Sequence, residues 1–331
     1  MDLVTHTLTG LTLARAGADR LGPYSTATLV VAANVPDLGL LYLLGGSGTY
    51  LEQPMWTHSL VGGVALGAVA SLVFWQQAQR KTHPPRLRNL LLAGGLGALT
   101  HLVLDWSTAF GVPLLWPFRS TRYALDWFPG LDLWLLVVLL LGLALPALFR
   151  LIAEEIGARR SPAGARRGAW VALVVCALLA AGRYNLHSQA VAQLESRLYN
   201  NRSPVRAGAF PTPFSPFRWR GVVETGTTFE VADMNLLGAG RSFETFSTRY
   251  KPEPSPPLEA ALASQTGQTF VSWARFPQAE IVPAVGGGWE VKLEDLRYAT
   301  GGRSFYNFSA RIELDAKLQV REEAIRRDGN D

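Results

Sequence analysis

Six apolar runs fill the first half of the chain, at residues 3–16, 26–44, 58–78, 87–104, 131–149 and 168–182. A bilayer-spanning helix needs about 20 apolar residues, so the first run is a short or partly inserted helix. Lacking a basic lead-in and a cleavage site, it is not a signal peptide. The pattern predicts a multi-pass α-helical membrane domain of about six apolar helices over residues 1–186. A linker over 187–216 follows, with a polar helix and then Pro204, Pro211, Pro213 and Pro216. Beyond it, alternating polar and apolar positions predict a small, mainly antiparallel β domain over 217–320, with strands at 217–224, 227–233, 243–250, 269–276, 288–293 and 304–314. Gly286 to Gly288 and Gly301–Gly302 read as hairpin turns, since no helix follows them to make a phosphate loop. Residues 321–331 read as a polar tail.

Charge orients this arrangement. Charged residues make up 17% of the chain, below the usual quarter, and the net charge is +5. The loops after runs one, three and five, counted with Arg15 and Arg88 at the run ends beside them, hold eleven lysines and arginines, whereas those after runs two and four hold two, Arg119 and Arg122. The positive-inside rule assigns the first set to the cytoplasm and the C-terminal β domain to the outside. The basic excess is therefore a membrane signature, and nucleic acid is not an expected partner, because no basic patch interleaves with aromatics in a binding module. Cys176 is the only cysteine in these 331 residues, which excludes an internal disulfide.

Polar residues inside the runs are the candidate chemistry, because a carboxylate in a membrane span is costly unless it is paired or wet. His6, Asp37, His58, His101 and Asp105 all fall at one depth on the outer side of the predicted topology. His101 and Asp105 lie four apart, on one helical face. Three imidazoles and two carboxylates suit Zn²⁺ first, with Mn²⁺ and Fe²⁺ as alternatives. A divalent ion brings the pKa of its bound water near 7 and so makes a nucleophile for an ester or phosphoester. Nucleophile elbow, Walker loop and HExxH helix are all missing from the sequence. Asp126 and Asp132 are candidate general bases on or beside the aromatic loop that follows Asp105. Arg119 and Arg122 on that loop are candidate contacts to a substrate phosphate. Gly111 and Gly130 could hinge the loop as a lid; its tryptophans and phenylalanines could equally anchor it at the headgroups.

Thr5–His6 with Gly10, Asn34-Val35-Pro36-Asp37, Thr57-His58-Ser59, His101-x-x-x-Asp105, Ser107–Thr108 with Gly111, and Leu115-Trp116-Pro117-Phe118 follow in that order. This series resembles the YdjM-type family of bacterial inner-membrane, metal-dependent hydrolases over about residues 1 to 150. The resemblance implies a bacterial inner-membrane location, with the same five histidines and aspartates at the matching polar positions.

Together these features predict a membrane-embedded, metal-dependent hydrolase acting on a lipid or lipid-linked ester or phosphoester at the outer interface. The alternative is a non-catalytic scaffold with a structural metal and a partner-binding β domain. A reporter fused after residue 331 should be active only outside the cytoplasm; activity confined to the cytoplasm would reverse the topology.

Overall fold

In a computed structural model, residues 1–37, 55–80, 82–155, 163–237, 242–243, 246–284, 286–298 and 308–327 are described. Gly45, Gly46, Gly48 and Glu52 of the second loop and the Gly301–Gly302 turn lie outside them, as do parts of run two, the arginine-rich loop, the last expected strand and the tail.

The chain divides into two compact units, with the division inside a single helix at residues 187 and 188; residues 211–216 group with the first unit. The first unit holds α1 (Leu3–Ala16), α2 (Ser25–Ala32), α3 (Leu60–Ala78), α4 (Leu87–Trp106), α5 (Leu133–Glu155) and most of α6 (Ala163–Glu195). Among the described residues four helices, α3 to α6, are long and apolar enough to cross a membrane. This corrects the expectation of six. At a rise of 1.5 Å per residue, the 14 residues of α1 and 8 of α2 span about 21 and 12 Å, short of the roughly 30 Å hydrocarbon core. Run two stops being an α-helix at Ala32 because Asn34 turns its side chain onto the Val30 carbonyl (2.8 Å) and Pro36 offers no amide to continue the ladder.

Small residues set how closely these helices approach. A Cβ at Gly94 of α4 would lie 2.3 Å from the Gly67 carbonyl oxygen of α3, and one at Gly97 would lie 2.4 Å from the Leu29 carbonyl oxygen of α2. Ser71 donates to the carbonyls of both Gly67 (2.7 Å) and Leu90 (2.8 Å), tying α3 to α4 through a bond that needs no water. One glycine-lined face of α4 thus packs against two neighbours, and His101 follows Gly97 by one turn on that face.

The second unit carries two sheets. In the first, β1 (Arg206–Pro211), β2 (Arg218–Glu224), β3 (Thr228–Asn235) and β4 (Ser242–Phe243) are neighbours in that order, and β5 (Ser247–Tyr250) also pairs with β3. After α7 (Pro256–Ala263) and α8 (Gln265–Trp273), β6 (Pro277–Pro283), β7 (Trp289–Asp295), β8 (Phe308–Leu314) and β9 (Val320–Arg327) form an antiparallel meander.

Three expectations are corrected here. The strand expected at 269–276 is mostly helix: Ser264 caps α8 by accepting from the Gly267 amide (3.1 Å), and Gly267, Phe270 and Trp273 form its buried stripe at a spacing of three. Its β-branched and aromatic residues, Thr269, Phe270, Val271 and Trp273, are those a strand favours. The expected linker contains β1, and the expected polar tail begins inside β9, whose charged residues suit an edge strand.

If the Gly97 contact positions His101, then Gly97→Leu should destabilise the membrane unit by about 1–3 kcal/mol, the usual cost of overpacking. Gly95→Leu, at a position where an added Cβ meets nothing within 4 Å, should not. Thermal unfolding of both variants in detergent checks this, and equal behaviour would show that the α2–α4 contact is not limiting.

Candidate metal centre

Each element delivers its side chain through a local cap or turn. Asp2 caps α1 by accepting from the Thr5 amide (2.9 Å), which puts His6 in the first full turn. Asp37 ends the turn after α2, with its amide bonded to the Asn34 carbonyl (3.0 Å), and Thr7 donates to the Asn34 side chain (3.3 Å). His58 closes a 3₁₀ turn, Met55–His58, after which Ser59 caps α3 by accepting from the Gly62 amide (3.0 Å). His101 and Asp105 occupy the last two turns of α4. Ser107 and Thr108 then end that helix by donating to the carbonyls of Leu104 (2.6 Å) and Asp105 (2.7 Å). The Thr, Asn and Ser residues beside the ligands in sequence are thus the groups that fix their backbone.

All five side chains meet. One ligand atom from each of Asp37, His58, His101 and Asp105 lies within 4.8 Å of all the others, and all four residues are buried. His58 Nε2 is 3.1 Å from Asp37 Oδ1 and 3.7 Å from Asp105 Oδ2; His101 Nε2 is 3.2 Å from Asp105 Oδ2 and 4.0 Å from Asp37 Oδ1. His6 faces the other two carboxylate oxygens, with Nε2 3.1 Å from Asp105 Oδ1 and 3.7 Å from Asp37 Oδ2. The His6 and His101 rings stack, with centroids 4.2 Å apart. The Met1 ammonium also contacts Asp105 Oδ1.

These separations fit a metal. Ligand bonds of about 2.1 Å in tetrahedral geometry place donor atoms roughly 3.4 Å apart, inside the 3.1–4.0 Å range found here. His101 Nε2 and Asp105 Oδ2 are only 3.2 Å apart, yet they make no hydrogen bond. Their orientation is that of two donors facing a shared point. His6 Nδ1 and Asp37 Oδ2 are likewise buried without a hydrogen-bond partner. A buried polar atom left this way costs about 1–3 kcal/mol, and three of these, His101 Nε2, Asp37 Oδ2 and Asp105 Oδ2, belong to the facing set and suit a cation. The far nitrogens set the tautomers: His101 Nδ1 lies 2.8 Å from the Ala33 carbonyl and therefore carries the proton, and His58 Nδ1 lies 2.8 Å from Thr57 Oγ1.

The remaining sequence candidates are placed differently. Asp132 caps α5 by accepting from the Leu135 amide (2.9 Å) and pairs with Arg183 of α6 at 2.5 Å. Both carboxylate oxygens of Asp132, the candidate general base, are thus engaged, one by a backbone amide and one by a buried arginine. Arg183 was legible only as the residue ending an apolar run. Asp126 is buried at a backbone φ of 58°. Arg119 is exposed, and Arg122 donates to the Gly111 carbonyl at 3.5 Å.

The aromatic loop is stitched in place rather than hinged. Val112 and Tyr123 exchange both backbone bonds, the Trp127 and Phe128 amides share the Ser107 carbonyl, and the Leu60 amide at the start of α3 bonds the Leu114 carbonyl (3.0 Å). At its tip Phe118 is 84% exposed.

Residues 1–189 match the model of the YdjM inner membrane protein family. The chain belongs to that family. The matched stretch contains all five converging side chains and the caps that hold them. Residues 256–327 match the model of the YfhP C-terminal alpha/beta plait domain, the stretch of α7, α8 and the four-stranded meander. No curated protein and no solved structure matches the chain.

Full-length protein purified without chelators should carry about one equivalent of a divalent transition metal, as a closed four-ligand set would hold. Changing His58→Ala or Asp105→Asn should lower metal content more than tenfold, while His83→Ala, in an exposed loop, should leave it unchanged. Wild-type protein without stoichiometric metal would remove the metal centre.

Proposed function

We propose that this YdjM-family protein is an integral-membrane, metal-dependent hydrolase of a lipid or lipid-linked ester or phosphoester. The supporting observation is the convergence of His6, Asp37, His58, His101 and Asp105, with unpaired nitrogen and oxygen atoms turned to one point. Zn²⁺ suits this mixed imidazole and carboxylate set, with Mn²⁺ or Fe²⁺ as alternatives, and the ion would supply Lewis-acid chemistry.

The chain's own residues do the rest. The Ala33 carbonyl keeps the His101 Nε2 lone pair turned inward, and Thr57 orients His58. Asp37 and Asp105 would supply the negative charge that balances a bound cation. Asp126, buried on the adjoining loop, is the candidate to accept a proton. Arg119 and Arg122 sit on the same loop and suit an anionic substrate group by their planar fork of donors. The exposed apolar tip, Leu115 and Phe118, supports a position of the loop among lipid headgroups, where such a substrate would reside. The charge asymmetry of the loops supports an outer position for this face and for the β domain.

The depth of the ligands favours a second reading. All five are less than a tenth exposed, and closed sites are the mark of structural metals. In that case the protein is a scaffold whose β domain recruits a partner.

Turnover separates the two. With a panel of lipid phosphoesters and esters, wild type should show metal-dependent hydrolysis and His101→Ala none, although it still assembles in the membrane. The Arg119→Gln/Arg122→Gln double variant should raise KM about tenfold with metal content intact. A fully metallated wild type that hydrolyses no member of the panel would establish the scaffold.

A further inference from the structure

The chain leaves the membrane unit within α6 and returns to it for six residues, 211–216. The returning segment is a tied turn. The Thr212 hydroxyl donates to the Ser215 carbonyl (3.4 Å), and Pro211, Pro213 and Pro216 restrict the backbone. Two side chains of the membrane unit hold it. The Trp134 indole donates to the Phe214 carbonyl (3.3 Å), and the Arg183 guanidinium donates to the Ser215 carbonyl (3.5 Å). Thr212, Pro213, Ser215 and Pro216 are half-buried, whereas the Phe214 side chain between them is 77% exposed.

A single exposed phenylalanine is ordinary on a soluble surface; its level on a membrane span makes it informative. Trp134 is the second residue of α5, which is long and apolar enough to cross a membrane. Asp132, just before that helix, pairs with Arg183 of α6, so residues 132–134 and 183–184 share one level. Trp134 and Tyr184 are each about half exposed there. Tryptophan and tyrosine at the end of a span mark the boundary between hydrocarbon and headgroups. From that level the exposed Val137, Leu140 and Leu141 continue along α5 as the apolar face of a membrane span. Phe214, whose carbonyl is bonded to Trp134, therefore lies where a bilayer surface meets the protein.

We propose that the turn 211–216 is an interfacial anchor, with the Phe214 ring set into the lipid at the headgroup boundary. It fastens to the bilayer surface the chain that runs on into β2. The anchor requires α5 to cross the membrane and uses no residue of the metal centre, so it and the proposed hydrolysis can fail separately.

The test places a nitroxide label on the full-length protein in vesicles of phosphatidylethanolamine and phosphatidylglycerol, with Cys176→Ala removing the native thiol. Labels are attached through Phe214→Cys, through Leu141→Cys in the α5 span and through Lys317→Cys in the exposed turn between β8 and β9. Oxygen concentrates in lipid and a nickel chelate stays in water, so the ratio of their collision rates with the label reports depth. The ratio at 214 should be several-fold above that at 317 and below that at 141. In a second variant, p-benzoylphenylalanine at position 214 keeps an aromatic ring and should cross-link to phospholipid on irradiation. Thermal unfolding reports whether each variant is folded. A ratio at 214 equal to that at 317, or a cross-link to a second copy or another protein in place of lipid, would overturn the proposal.

Discussion

Two buried carboxylates control the membrane unit. Asp37 and Asp105 present their oxygens to each other's histidines in a region almost closed to solvent. In such surroundings ionised groups are stable only if positive charge is placed beside them, because burial removes the water that would otherwise solvate them. The three imidazoles supply donors at metal-ligand spacing, and even the Met1 ammonium is drawn to Asp105. Four short pieces of backbone, from α1, the turn after α2, the turn before α3 and the end of α4, must be held in register for this to work.

Close helix contact provides that register. Gly67, Gly94 and Gly97 bring backbones to distances that no side chain would allow, and Ser71 adds carbonyl bonds across the same seam. In a bilayer, where the hydrophobic effect does not drive helix association, such contacts carry much of the packing energy. The short helices α1 and α2 belong to this arrangement. They do not span the membrane, yet they carry His6 and lead to Asp37, and the polar turn at Asn34 forms where a longer helix would have carried Asp37 past α4.

The membrane unit is polar at both ends in different ways. At one end, acidic and imidazole groups are buried and paired among themselves, with the Asp132–Arg183 pair binding α5 to α6. At the other, Arg15, Arg150, Arg166 and Arg167 line an apolar groove together with Asp19 among the described residues. The first arrangement suits capture of a cation.

Much of the site was written in the sequence. Histidines and aspartates are conspicuous in apolar runs because burying them is expensive, and their common depth followed from counting runs and loop charges. The pairing of His101 with Asp105 followed from helical periodicity alone. Antiparallel strands such as β2, β3 and β7 showed through their alternation. What the sequence could not set was contact between distant elements. Whether run two continued or turned at Asn34 depended on bonds to Val30 and Thr7. Asp132 looked like a free base until the fold brought Arg183 to it from 51 residues away. Thr269 to Trp273 is rich in the β-branched and aromatic residues of a strand, yet it is a helix because Ser264 caps it and Phe270 and Trp273 are both buried on one side. Local chemistry and period are encoded residue by residue; burial and partners are settled only when the chain closes on itself, and there they override local preference.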